Sequence, residues 1–349
     1  MGGVSPVVFG GRSDVRELRR RAGDLRRLAG VTSIRFEDGR ADGVRALELR
    51  NGCGLCATLV IDRALDALEL NYCGVPLTWL GPGGLTSPHS YVPTVEEFER
   101  GFFGGLVTTC GLTAFGPPGS DRWGSWSQHG RVNWLPAQDV ATSVEWEVPV
   151  PRIQVEGVVR EARMFGENLR LERSWSMPIG INRVVLRDRV TNDGGAPVPH
   201  MLLYHCNAGY PLLDEDTFWT VSQTAVAPRD DEAAKAITAW NRGGNPEHDF
   251  REQVFIHEPE ADAAGWAFAT VCNPRLGNGL SLTVSYRPDQ LPALFTWRML
   301  GYGTYVMAAE PANCPTIDGR IEAQRQGTLP MLEPGESREY ELQFDVRSL

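Results

Sequence analysis

The chain has 349 residues, 42% of them hydrophobic and 22% charged, the balance of a globular protein with a sizeable core. Its net charge of −10 argues against the basic surface that a nucleic-acid partner demands. No apolar run approaches the roughly 18 residues of a membrane helix, and the N-terminus lacks the apolar centre of a signal peptide. No membrane partner is therefore expected, and a cytoplasmic location is.

In chain order, the first predicted element is a helix capped by Asp14, with Glu17 at the capping-box position. Leu18, Ala22, Leu25 and Leu28 share one side of it, and the arginines from Arg16 to Arg27 form its solvated face. Residues 1–30 read as an N-terminal helical extension that docks on the rest. From residue 31 the pattern changes to short alternating runs: 31–37, 44–49 and 57–61, separated by Asp38-Gly39 and Asn51-Gly52, which signal type I′ hairpins. Further strands are predicted at 153–159, 168–175, 183–190, 201–206, 253–257, 266–271, 280–286, 294–299 and 304–309. In the last run Tyr340, Leu342, Phe344 and Val346 alternate with polar residues, as in a half-buried strand. Short helices fit only 95–101 and 230–240. So many strands, punctuated by 38 glycines and 24 prolines, indicate an all-β protein, a large antiparallel sandwich in one domain over 31–349.

The seven cysteines are scattered and odd in number, which does not suggest a disulfide framework. Cys53 and Cys56 have CxxC spacing but no second pair, and read as turn and strand residues.

The segment Met201–Leu213 is chemically the most informative. Strand alternation puts Leu203, His205 and Asn207 on one face and Leu202, Tyr204 and Cys206 on the other, before Gly209 and Pro211 break the run. An imidazole beside an amide on an apolar strand is costly to bury without partners. His205 is thus either a working residue or a core histidine bonded to a carbonyl. Glu310 ends a second apolar stripe, after Val306 and Ala308 and before Pro311. Burial there would raise its pKa and make it a better proton acceptor; a salt bridge to an arginine is the alternative.

Two other regions stand out. The stretch 101–131 is rich in glycine, with Trp123, Trp126 and Gln128-His129-Gly130-Arg131, and tryptophans supply flat faces on which sugar rings pack. Gln253, Phe255 and His257 share one strand face, as do Phe295, Trp297 and Met299, and both faces could line one concavity. His200 and His205 fall on opposite faces, and neither begins an HExxH helix, so no metal is expected, although His129, His205 and His257 could still converge. There is no GxSxG elbow, P-loop or GxGxxG after a strand. His205 with Glu310 is the best acid/base pair, and no cofactor is called for.

Taken in order, Ile61-Asp-Arg-Ala-Leu-Asp66, Gly104–Leu112, Gln128–Arg131, Phe165–Leu169, Met201–Leu213, Glu252–His257 and Gly301–Asn313 resemble the galactose mutarotase-like superfamily, most closely the DUF4432 group of aldose 1-epimerase-like proteins. The resemblance implies a β-supersandwich whose concave face binds a small-molecule sugar. It gives His205 the role of the acid and Glu310 that of the base, and places His129 among groups contacting sugar hydroxyls. Gln128 replaces the usual leucine beside His129. Arg63 lies in the group's Asp-Arg-Gly-Leu-Asp element, with Ala64 in place of the glycine, and is a weaker candidate for binding. Asn207, Gln253, His257 and Trp297 complete the candidate substrate-binding set. The expected reaction is interconversion of α and β anomers through acid/base ring opening. A non-catalytic sugar-binding or sensing protein, and a lyase or other sugar isomerase on the same scaffold, are the alternatives.

Overall fold

The structure, a computed structural model, describes residue 9, residues 14–92, residue 94 and residues 96–349. Among the described residues, the alternating runs of the sequence assemble into three large antiparallel sheets and two two-stranded ones. Strands Gly30–Arg35, Arg45–Arg50, Leu55–Val60, Asp66–Tyr72 and Val75–Pro76 form a five-stranded meander. An eight-stranded sheet is built around Arg183–Asn192 and the long C-terminal strand Ser337–Ser348, which pair directly. A six-stranded sheet runs in the order Gln223–Pro228, Gln253–Pro259, Ala293–Gly301, Thr304–Ala312, Met201–Gly209 and Thr108–Leu112. This is the all-β fold of large antiparallel sheets that the strand pattern led us to expect.

One apolar core joins the three sheets. Leu202, Tyr204 and Cys206 meet Trp175, Leu186 and Phe344 of the eight-stranded sheet and Leu49 and Leu59 of the meander. Within it lies a polar knot. Arg173 donates to Asp66 and to both oxygens of Asp188, and Tyr204 donates to Asp188 at 2.7 Å, with Arg173 and both carboxylates fully buried. Removing one member of such a set typically costs about 3–5 kcal/mol. The knot ties all three sheets together directly beneath the strand that carries His205.

Several local expectations differ. Asp14 caps the first helix by accepting from Arg16 and Glu17 N–H, but the helix is short, Val15–Ala22, and turns at Gly23 (φ +68°) into a separate turn at Leu25–Arg27. Glu17 pairs with Arg20 and Arg21 and does not close a capping box. Residues 1–8 and 10–13 of the predicted extension lie outside the described residues. Neither predicted I′ turn forms: Asp38 caps a short 3-10 turn at Gly39–Ala41, and Asn51 accepts from the N–H of Cys53 and Leu55 across a longer loop. Of the helix expected from 95, the structure has Glu97–Gly101, and Val95 lies outside the described residues. The region 230–240 splits into Asp231–Ala234 and Ile237–Ala239. Ala64, in place of the resembled family's glycine, adopts φ +55°, a left-handed conformation natural to glycine and strained for alanine.

Candidate active site

The strand Met201–Gly209 is buried at all nine positions and lies between Thr304–Ala312 and Thr108–Leu112. The register that pairs Leu203 with Ala312 and Cys206 with Ala309 sets His205 opposite Glu310, while His205 pairs with Thr108 on its other side and Glu310 with Phe295. Directly opposed residues project from the same face of a sheet. The strand ends at Gly209, where a Cβ would stand 2.6 Å from the Trp79 backbone, so glycine lets the tryptophan approach.

His205 Nε2 lies 3.1 Å from Glu310 Oε1, and both side chains are more than nine-tenths buried. They form the floor of a cavity of about 600 Å³. Its walls are aromatic: the Trp297 ring stands 5.3 Å and the Phe102 ring 4.8 Å from the His205 ring, and Phe98 lies 4.6 Å from His129. Trp79 closes the remaining side, 5.7 Å from Phe102 and 6.5 Å from Trp297. A flat apolar wall around a few polar atoms is the usual composition of a small-ligand site.

His129 enters this cavity from a strained backbone, φ +55°. Its N–H donates to Gly116 O, its carbonyl accepts from Gly111 N–H, and its Nδ1 accepts from Gly116 N–H at 3.4 Å. The backbone bonds hold the residue in place, and the Nδ1 contact favours the tautomer with the proton on Nε2, a donor for a ligand oxygen. Burial lowers its pKa to about 4, so the ring is neutral.

The same burial acts on the central pair. It raises the Glu310 carboxyl to about 8, with Glu252 adding to the rise and Arg229 opposing it. It lowers the His205 imidazole to about 3, helped by His129 and opposed in part by the Asn207 carboxamide. Desolvation is the largest cause of both shifts. The pair carries one proton between these limits, and the protonated-carboxyl form and the imidazolium–carboxylate form differ only by its transfer across 3.1 Å.

A family model described as a domain of unknown function, DUF4432, matches residues 41–346. The chain belongs to the DUF4432 family. No curated protein matches it in sequence. Solved structures share its fold. A protein from Klebsiella pneumoniae described as a candidate aldose 1-epimerase is 24% identical with a TM-score of 0.84, covering 90% of this chain and 83% of its own. A galactose mutarotase-like protein from Clostridium acetobutylicum is 12% identical with a TM-score of 0.64, over 93% of this chain and 100% of its own. A galactose 1-epimerase from Lactobacillus acidophilus is 14% identical with a TM-score of 0.58, over 91% of this chain and 99% of its own.

Of the residues predicted for this DUF4432 site, His205, Glu310, His129 and Trp297 come together around one cavity, with Gln128 beside them. Four do not line it. Arg63 is fully buried and donates to the carbonyls of Asn133, Thr86 and Gly101 at 2.5, 2.9 and 3.1 Å, its guanidinium 4.0 Å from the Trp134 ring centroid. It anchors the end of the helix that delivers Phe98 and Phe102. Asn207 donates to Gly105 O and His205 O, so it braces the floor from within. Gln253 accepts from Arg298 Nε at 2.6 Å, and His257 bonds Thr296 Oγ1 at 2.8 Å and the Gln223 amide.

The reason for the last two is parity. Val254 pairs with Trp297, so Glu252 and Val254 face the cavity, and Gln253 and His257 face away. Sequence reasoning missed Glu252, Arg229, Trp79, Phe98 and Phe102. Glu252 Oε2 accepts from Trp297 Nε1 at 3.0 Å and Oε1 accepts from Arg229 at 3.0 Å, forming a polar rim next to the aromatic wall.

Proposed function

We propose that this DUF4432 chain is a mutarotase that interconverts the α and β anomers of an aldose. The observation that carries the reading is the His205–Glu310 contact at the floor of an aromatic-walled, sugar-sized cavity. The two groups supply one acid and one base side by side, with one shared proton.

At rest the shared proton lies on Glu310, and the cycle begins when it crosses to His205 Nε2, leaving Glu310 ionised beside the anomeric hydroxyl. Glu310 removes the proton of the anomeric hydroxyl, the electron pair of that O–H forms the C1 carbonyl, and the C1–ring-oxygen bond breaks. The ring oxygen takes the proton from His205. The open-chain aldehyde then faces a neutral imidazole and a protonated carboxyl, which is the form that burial favours. Rotation about C1–C2 presents the other carbonyl face, and the same transfers in reverse close the ring as the other anomer. No net proton enters or leaves. Each participating group contributes about 10²–10⁴-fold. His129 Nε2–H and the Arg229–Glu252 rim serve as hydroxyl partners, and Trp297, Phe102 and Trp79 pack against the ring's C–H faces.

Polarimetry on freshly dissolved aldoses tests the reading. At least one aldose should reach its equilibrium rotation faster than in buffer alone. Equal rates across a panel of hexoses and pentoses, or formation of a compound other than the second anomer, would refute it.

A further inference from the structure

The tryptophans at 123 and 126 do not line the cavity above His205 and Glu310. They line a second one, of about 480 Å³, beside it. The hairpin Gly119–Asp121/Gly124–Trp126 forms one wall, the loop Arg163–Glu167 another, and Glu161, Arg320 and Thr113 the interior. The two cavities share Pro118, and one short loop serves both: Gln128 and His129 line the first, Ser127, Gly130 and Arg131 the second. Trp126 Nε1 donates to the carbonyl of Pro117, which lines the first cavity, so the second cavity's aromatic wall is bonded directly to the rim of the first.

The lining is built rather than incidental. Arg320 is buried, held by both oxygens of Asp121 at 2.9 and 2.7 Å, and stands 4.4 Å from the Trp126 and 5.4 Å from the Trp123 ring centroids. Glu161, also buried, accepts from Leu112 N–H and Thr113 Oγ1, both at 3.2 Å, which leaves lone pairs on both of its oxygens. Arg163 is committed to Glu167. Arg131 is exposed and has no ion-pair partner among the described residues.

This chemistry selects its ligand class. Arg320 and Arg163 each have a carboxylate of their own, and Glu161 opposes an anion, so a phosphate or carboxylate ligand meets no surplus positive charge in the interior. Indole surfaces with carboxyl, hydroxyl and guanidinium groups match a neutral polyhydroxylated ring. We propose that the second cavity is a carbohydrate subsite that holds the next ring of a saccharide whose reducing end sits over His205 and Glu310. The placement of the reducing end rests on the mutarotase reading; the subsite itself rests on the second cavity alone.

The test uses maltose, cellobiose and lactose beside glucose and galactose, with Arg131→Ala and Glu161→Gln as variants outside the first cavity. Saturation-transfer NMR on Glu310→Gln protein reads binding without turnover. At least one disaccharide should receive saturation in both rings. Arg131→Ala, an exposed change that spares folding, should weaken that disaccharide at least fivefold and leave the monosaccharides unchanged, with Glu161→Gln acting in the same direction. Saturation confined to reducing rings, or disaccharide affinity unmoved by both variants, or equal weakening of mono- and disaccharides, would overturn the subsite. Contact with both rings but no anomer exchange in the unmodified protein would leave the subsite standing and remove the mutarotase reading.

Discussion

His205 and Glu310 face each other across two adjacent antiparallel strands, 3.1 Å apart, and each is buried where water cannot solvate a charge. Two ionisable groups so placed are costly as separate charges and inexpensive as a pair sharing one proton. The proton count of this pair, more than either group alone, sets the chemistry.

The pH dependence follows from that count. Below about 8 the pair retains its proton, and above it Glu310 loses the proton, leaving a base with no acid. The second proton binds only near 3, where no base remains. We predict that kcat/KM for anomer exchange, corrected for the spontaneous rate, is flat from about pH 5 to 7 and falls about tenfold per unit well above 8. A decline on the acid side between pH 7 and 6 would mean that His205 titrates as an ordinary histidine.

The neighbours of Glu310 shift that alkaline limb in opposite directions. Glu252 raises the carboxyl's pKa and Arg229 lowers it. Glu252→Gln should therefore move the limb to lower pH and Arg229→Met to higher pH. Both variants will also raise KM if the rim holds sugar hydroxyls, but only the opposed shifts report the electrostatic coupling.

Burial of Glu310 has a stability consequence with a definite sign. Its folded pKa is raised from 4.5 to about 8, so the unfolded chain releases this proton first and native stability falls as pH rises between those values. Glu310→Gln removes the penalty. Its thermal midpoint should exceed that of the unmodified protein at pH 8, by a free-energy difference on the order of a few kcal/mol, and the gap should close towards pH 5. Calorimetry at both values checks this.

Arg63 is predicted to be a stability residue. Its guanidinium satisfies three carbonyls from separate segments, so Arg63→Ala leaves buried acceptors unpaired and a void beside Trp134. The expected cost is about 3–5 kcal/mol. Any folded fraction should keep the KM of the unmodified protein; a folded variant with a selectively raised KM would place Arg63 in the site instead. The adjacent Ala64 offers the opposite test. With φ +55° it is strained, and Ala64→Gly should stabilise the protein by about 1 kcal/mol in a denaturant titration.

The sandwich and the burial of His205 and Glu310 were legible because both depend on local pattern, whereas the meeting of the two rested on the family resemblance. Alternation placed Leu203 and His205 on one face, and the apolar stripe before Glu310 marked a buried carboxyl. The failures lie where function depends on pairing between distant strands. Nothing local says that Val254 sits opposite Trp297, and a one-residue change in that register would exchange Glu252 for Gln253 in the cavity. Trp79, Phe98 and Phe102 reach the site from loops, where no periodicity marks their direction. Trp123 and Trp126 offer flat faces, but the hairpin turns them towards the neighbouring cavity and away from His205. Arg63 was carried by a motif whose work is to hold chain segments together.

The most direct test of the acid/base pair is NMR saturation transfer between the α and β anomeric protons of an aldose at equilibrium, with unmodified, Glu310→Gln and His205→Asn proteins. The account predicts anomer exchange well above the buffer rate with unmodified protein, and a loss of at least about 10²-fold in each variant, with folding intact. Exchange in either variant as fast as in the unmodified protein would contradict it.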